Sequence, residues 1–263
     1  MELGLEGKRA LVLAASMGLG RAAAEALAAE GVQVAISSSN PERCRDTAHL
    51  IAQKHAAKVV GIVADMFAPA SMDALFARAL DALGGIDILF LNHPGPALGL
   101  AKEVDPDVLE QQFRMMVASP IRLISRALPG MRERRWGRIL SSGGAGMVTP
   151  LPNKVMDDTL RPALAGYSKA LANEVAADGI TVNIVLPGTF ITDRVHASTA
   201  SNAALFGITV EEAMRRRIEN IPAGRFGELE EFGAVVAFLC SARASYVNGS
   251  VVRVDGSQIK SIY

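Results

Sequence analysis

Short apolar runs and amphipathic stretches alternate along the whole of this chain. Lys8–Ala14 (KRALVLA) is a run rich in Leu and Val. Ala and Leu then recur at helical spacing from Gly20 to Glu30, Gly31 halts that pattern, and Val32–Ser37 (VQVAIS) begins a second run. Runs of this length rich in β-branched residues read as strands, and stretches with a period of about 3.6 read as helices. The same reading predicts a helix over 41–55, a strand over Val59–Ala64, a helix over 71–82 and a strand over Ile86–Asn92. A long helix over 106–131, a strand over Arg138–Ser141, a helix ending near Asp178 and a strand over Thr181–Leu186 follow. The pattern closes with a helix over 228–240 and a strand over Val251–Val254. Apolar strands linked through helices predict a parallel sheet with helices on both faces. Right-handed crossovers make this a doubly wound, Rossmann-type α/β fold. No composition break, linker or repeat divides the 263 residues, so a single domain over 1–263 is expected.

Composition narrows the partners. Lys+Arg and Asp+Glu both number 27, and this balance supplies no basic footprint for nucleic acid or an anionic membrane. No apolar stretch reaches the roughly 18–20 residues that span a bilayer. The acidic start Met1–Glu6 does not read as a signal peptide, and a cytoplasmic location is expected. Cys44 and Cys240 are far apart and imply neither a disulfide framework nor a metal site. His49, His55, His93 and His196 show no ligand spacing, so no metal is expected. A small-molecule substrate remains.

The first predicted strand runs directly into Leu13-Ala14-Ala15-Ser16-Met17-Gly18-Leu19-Gly20-Arg21. Gly allows close backbone approach, and a helix N-terminus offers unpaired N–H groups to a phosphate. A glycine pair of this kind is common in ordinary turns, and its place after the first strand of a βα series is what singles it out. The second strand ends in Ser37-Ser38-Ser39-Asn40, where a carboxylate for a ribose 2′-hydroxyl would otherwise stand. Hydroxyls at Ser38 and Ser39 can donate to a 2′-phosphate, which favours NADP(H) over NAD(H); a plain polar turn is the other reading.

Together with these, VADM (63–66), DILFLNHPG (87–95), GRIL (137–140), GITVNIVLPG (179–188) and GSVVRVDG (249–256) resemble the short-chain dehydrogenase/reductase family over almost the whole chain. Details resemble a divergent branch related to 3-oxoacyl-(acyl-carrier-protein) reductases. The resemblance implies hydride transfer between NAD(P)(H) and a carbonyl or alcohol, and a homodimer or homotetramer. It places the pyrophosphate on Ala14, Ser16, Met17, Gly18, Leu19 and Gly20, and the adenine at Asp65 and Met66. Asn92 and His93 border the cofactor, and Pro187, Gly188 and Thr192 flank the nicotinamide. The stretch 189–225 corresponds to the family's substrate lid.

The catalytic positions depart from the family pattern of Asn, Ser, Tyr and Lys. Tyr167 is an attractive candidate, but Lys169 follows it by two residues and points roughly 200° away around a helix. Register argues the same way: the resemblance implies a Tyr about 26 residues before the Asn of the VN-x-x-x-PG segment, which falls on Asp157, with Arg161 at the Lys position and Gly144 at the Ser position, while counting back from Leu128-Pro129 places the Asn position at Met116. Leu13 and Ala14 likewise replace the Thr and first Gly of the phosphate motif.

Asp157 and Arg161, at i and i+4, can share a helix face. They read as an ordinary ion pair or as a working one. In the second reading Arg161 keeps the cationic role of the family Lys and favours an oxyanion, though a guanidinium cannot relay a proton. A carboxylate so paired is a poor acid and a candidate base in the oxidation direction. Pro162 raises the alternative that the helix starts near Arg161 and leaves Asp157 in a loop. Ser142 could orient the substrate oxygen after a small loop shift. His93 titrates near neutrality when unperturbed and is a candidate acid beside a loop role, and His196 lies in the lid. Met115, Met116, Met147 and Met156 either line an apolar pocket or belong to the core. The expectation is an NAD(P)(H)-dependent oxidoreductase acting on a carbonyl or alcohol, with 3-oxoacyl-like compounds as one class. The rival is an inactive nucleotide-binding sensor or a structural oligomer subunit of the same fold.

Overall fold

The computed structural model describes residues 2–262. Seven strands form one sheet: β1 Arg9–Val12, β2 Gln33–Ser38, β3 Val59–Val63, β4 Ile88–Leu91, β5 Gly137–Ser142, β6 Ile180–Pro187 and β7 Val251–Val254. Their order is β3-β2-β1-β4-β5-β6-β7, and every pairing is parallel. The chain winds outward through β2 and β3 on one side of β1 and through β5, β6 and β7 beyond β4. This is the doubly wound architecture that the apolar periodicity predicts, with its switch point between β1 and β4.

Helices cover both faces. On one side lie α1 Gly18–Ala29, α2 Pro41–His55 and α9 Leu229–Cys240; on the other lie α3 Pro69–Leu83, α5 Ser119–Glu133 and α6 Val155–Val175. The strands serve both layers by alternation. Ala10 and Val12 of β1 pack with Leu27, Ile51, Phe232 and Val236, whereas Leu11 pairs its face with Leu75, Ile124, Leu160 and Val175. Burial on both faces explains why the strands read as continuous apolar runs rather than alternating ones.

The long helix predicted over 106–131 is interrupted. It comprises α4 Pro106–Phe113, a π-helical turn Arg114–Ala118, and α5. Pro120 has no N–H to send to the Met116 carbonyl, and the Ser119 N–H reaches five residues back to Arg114 O. One residue is thereby added to the turn, and Met115, Met116 and Val117 are buried. The helix ending near Asp178 begins at Val155, so Asp157 lies in its first turn and Pro162 inside it. The alternative start near Arg161 is therefore overturned. The stretch 189–225 holds α7 Asp193–Phe206 and α8 Val210–Glu219. No helix among the described residues is long and apolar enough to cross a membrane.

Candidate active site

The loops that follow β1, β2, β4, β5 and β6 meet at the carboxyl edge of the sheet, the edge where doubly wound sheets bind ligands. Residues 13–17 join β1 to α1. Ala14 adopts φ 47°, the left-handed region where Gly is at ease and an L-residue is strained by about 1 kcal/mol. It is held there from both sides. Its N–H donates to Ser37 Oγ (3.3 Å), and its carbonyl accepts from Asn92 Nδ2 (3.2 Å). The Ala14 residue packs against the core layer of α3, α5 and α6. At Gly20 a Cβ would collide with the Ala14 carbonyl and approach Asn92 Nδ2 to 2.8 Å, so only Gly lets α1 start this close to β1.

The first turn of α1 has no side-chain cap and no acidic residue, and Met17 at the N-cap is extended. By contrast, Asn40 Oδ1 caps α2 (2.8 Å from Arg43 N) and Thr192 Oγ1 caps α7 (3.2 Å from Val195 N). The N–H groups of Gly18, Leu19 and Gly20 are thus left for an external acceptor, and the helix dipole favours a negative one. Thr192 closes the cradle from the start of α7: its Cγ2 lies 3.7 Å from where a Gly18 Cβ would stand. The residues present fit a dinucleotide phosphate.

At the end of β2 the hydroxyls divide. The buried Ser38 shares a hydrogen bond with Ser16 (2.9 Å between oxygens) and accepts from the Asn40 N–H (3.2 Å), so it braces the turn rather than facing outward. Ser39 is exposed. Beside it is a residue that sequence reasoning missed: Arg43 extends from α2 to donate to Met17 Sδ (3.2 Å), which places a cation over this turn. Asp65 is exposed and accepts from the Phe67 N–H (2.9 Å). Met66 buries its side chain in the core, and its carbonyl accepts from Ser119 Oγ (2.7 Å). Pro187 ends β6, and Gly188 passes so close to Asp255 that a Cβ there would come within 2.6 Å of its Cα.

At the other end of the cleft Asp157 and Arg161 share one face of α6. Arg161 Nε donates to Asp157 Oδ1 at 2.5 Å, and its Nη1 donates to the carbonyls of Ser142 and Gly143, both at 2.7 Å. Three of five guanidinium hydrogens are thus committed, and those on Nη2 have no partner among the described residues. The side chain lies against Gly144, where a built Cβ would stand 2.9 Å from Nε. Gly144 is extended (φ −173°), so space and not backbone conformation excludes a side chain there. Asp157 Oδ2 and the Ser142 hydroxyl carry no bond among the described residues, while the Ser141 hydroxyl is sealed and unpaired. Met116 is buried in the π-helical turn.

His93 does not behave as a neutral-pH acid. Burial, and then the charge of Arg161, push its imidazole down to about 3, with Arg194 adding to the effect. Its Nδ1 lies 3.4 Å from the Pro94 carbonyl. His196 is exposed on α7. Met115, Met116 and Met156 are core residues. Tyr167 and Lys169 face different neighbours. Tyr167 packs on the α5 side, where burial raises its phenol and Ser125 is its polar contact, whereas Lys169 Nζ donates to Gly249 O (3.2 Å).

The second residue missed from sequence is Arg194, in the first turn of α7. Its guanidinium lies directly on Gly95, so that a Cβ there would coincide with it. A cation at a helix N-terminus opposes the dipole, and that signal became legible only once the helix start was known. Among the described residues no group of three or more His, Cys, Asp or Glu could hold a metal ion.

Comparison with known proteins agrees with this architecture. Residues 13–257 match the profile of the enoyl-(acyl carrier protein) reductase family. The chain is 33% identical over 256 residues to the 3-oxoacyl-[acyl-carrier-protein] reductase FabG of Aquifex aeolicus, covering 97% of this chain and 99% of that protein. It is 30% identical, with the same coverage, to the NADPH-dependent reductase BacG of Bacillus subtilis. Among solved structures it is similar to L-sorbose reductase from Gluconobacter frateurii complexed with NADPH and L-sorbose, with a TM-score of 0.95 and 29% identity over 100% of both chains. The chain therefore belongs to the short-chain dehydrogenase/reductase family, and its fold is that of the family's NAD(P)(H)-dependent oxidoreductases.

Proposed function

We propose that this protein is an NADP(H)-dependent oxidoreductase that interconverts a carbonyl and an alcohol at a rebuilt proton-transfer site. The observation that carries the reading is Arg161, fixed by Asp157, Ser142 and Gly143 with Nη2 uncommitted, at the same sheet edge as an uncapped phosphate cradle. NADP(H) is favoured over NAD(H). Relatives of this fold are NADPH-dependent, Ser39 and Asn40 rather than a carboxylate directly follow β2, and Ser39 and Arg43 would meet a 2′-phosphate there. The cofactor supplies or takes up the hydride. Gly18–Gly20 would hold its pyrophosphate, Asp65 its adenine, and Asn92, His93, Pro187, Gly188 and Thr192 would border its nicotinamide half.

Arg161 Nη2 donates to the substrate oxygen and stabilises the negative charge that develops on it, without giving up a proton. The Ser142 hydroxyl orients that oxygen. Asp157, tied through Oδ1, has Oδ2 to accept the alcohol proton in the oxidation direction; in reduction the proton comes from water. A 3-oxoacyl-like chain is one substrate class to test, and a homodimer or homotetramer is the assembly we propose.

The test has two arms. Calorimetry with NADPH and NADH should show binding with NADPH preferred, and a panel of carbonyl compounds should then oxidise NADPH. Arg161→Ala should lower kcat by about a hundredfold, the scale of a lost oxyanion donor, while NADPH binding changes little. Binding without turnover across the panel would favour the sensor reading, which the replacement of the family's Tyr and Lys by Asp157 and Arg161 supports.

A further inference from the structure

Arg194 has no hydrogen-bond or ion-pair partner among the described residues. It extends from the first turn of α7 to the opposite wall of the cleft at Gly95, two residues beyond His93. Gly95 follows β4, and the Ser142 and Gly143 carbonyls that hold Arg161 end the neighbouring strand β5, so both arginines lie on adjacent loops of one sheet edge. There Arg161 is ion-paired with Asp157 at 2.5 Å, whereas Arg194 makes no ion pair among the described residues. Such a guanidinium, with its planar fork of donors free, is suited to a carboxylate or phosphate oxygen.

Resting on the oxidoreductase reading above, we propose that Arg194 anchors an acidic group on the substrate, so that the carbonyl compound reduced here is an oxo acid. Arg161 takes the carbonyl oxygen, and Arg194 takes the carboxylate from the lid side. The anionic oxygen that Arg194 meets could also be supplied by the cofactor pyrophosphate. Position favours the substrate. The lid residue packed against the phosphate loop is Thr192, beside Gly18, whereas Arg194 lies farther on at Gly95 and acts on His93 alongside Arg161.

The experiment uses the full chain with NADPH and three oxo acids, 2-oxopentanoate, 3-oxobutanoate and 4-oxopentanoate, each against its methyl ester. NADPH oxidation is followed, and binding of acids and esters to the protein saturated with NADP⁺ is measured by calorimetry. For at least one pair kcat/KM should favour the acid by about tenfold or more, the scale of a charge-assisted hydrogen bond. Arg194→Gln should bring the pair to parity through KM with NADPH affinity unchanged, and Arg194→Lys should restore part of the preference. Acids and esters reduced equally well would overturn the anchor and leave the oxidoreductase reading standing. Acids that bind selectively and lose about tenfold affinity in Arg194→Gln, without any turnover, would keep the anchor and sink the oxidoreductase reading. An unchanged acid preference with weakened NADPH binding in Arg194→Gln would assign the residue to the cofactor and overturn the proposal.

Discussion

At the scale of single residues the site is an exchange of volume. Arg161 reaches across the space that a side chain at 144 would need, and Gly144 is what permits it. Gly144→Ser should therefore displace the guanidinium from the Ser142 and Gly143 carbonyls, and lower stability by about 1–2 kcal/mol through overpacking and lost hydrogen bonds. Gly144→Ser combined with Arg161→Lys should recover most of that loss. Thermal melts of these two variants and of Arg161→Lys alone decide it, and losses that simply add would mean that the two positions are independent. His93 gives a second prediction. Its folded-state value of about 3 lies below the ordinary imidazole range, so the unfolded chain binds more protons between roughly pH 6.5 and 3. Stability should fall as pH drops through that window, and His93→Gln should flatten the slope of Tm against pH.

At the scale of elements, helix starts decide where chemistry can occur. Most helices that carry a side-chain cap spend their first N–H groups on it, and α1 leaves its own open. Helix α8 is closed at its start by Thr209 Oγ1, which accepts from the Glu212 N–H (3.2 Å). Thr209→Ala should cost α8 about 1 kcal/mol of local stability. Hydrogen exchange in residues 210–219 should quicken while the sheet amides stay protected; unchanged exchange would show that packing alone holds α8. The helix over 106–131 was legible from its amphipathic period, but the π-helical turn inside it was not. A period of 3.6 does not reveal one added residue, and Pro120 reads equally well as an ordinary helix-start proline.

At the scale of the molecule, the edge of the sheet opposite the site is locked by charge. Asp87, 3% exposed, accepts from Arg9 Nε and Nη2 at 2.7 and 2.8 Å and from Arg134 Nε at 2.9 Å. Burial alone would raise its carboxyl, but the two arginines outweigh burial and hold it below the usual range. Asp87→Ala strands both cations and should cost about 3 kcal/mol. Because the folded value is depressed, this stabilisation is present above the ordinary Asp range and is lost as pH falls through the folded value. Acid unfolding monitored by circular dichroism should accordingly be shifted to higher pH in the variant. An unshifted acid limb would mean that the network is solvated. Nearby, Trp136 is flanked by Lys8 (4.2 Å) and the buried Arg138 (4.4 Å), which ties β5 to the same edge.

The amino-acid sequence alone determined the layers, the alternation of strands and helices and the glycine turn at 13–20, and it set Asp157 and Arg161 at i,i+4 spacing while Pro162 left open whether one helix carries both. Each of these follows from local period, from glycine where backbones must approach, or from i,i+4 spacing. It determined less about what faces the cleft. Ser38 looks like Ser39 in sequence, but only the packing turns Ser38 towards Ser16 and leaves Ser39 open. His93 carries no local mark of a depressed imidazole, because burial and the charge of Arg161, 68 positions away in the chain, produce it. Arg43 and Arg194 are ordinary helix arginines until Met17 and Gly95 are seen beneath them. Local chemistry is written along the chain, whereas which side chains converge on one cleft depends on loops brought together by strands distant in sequence, and only the tertiary structure settles that.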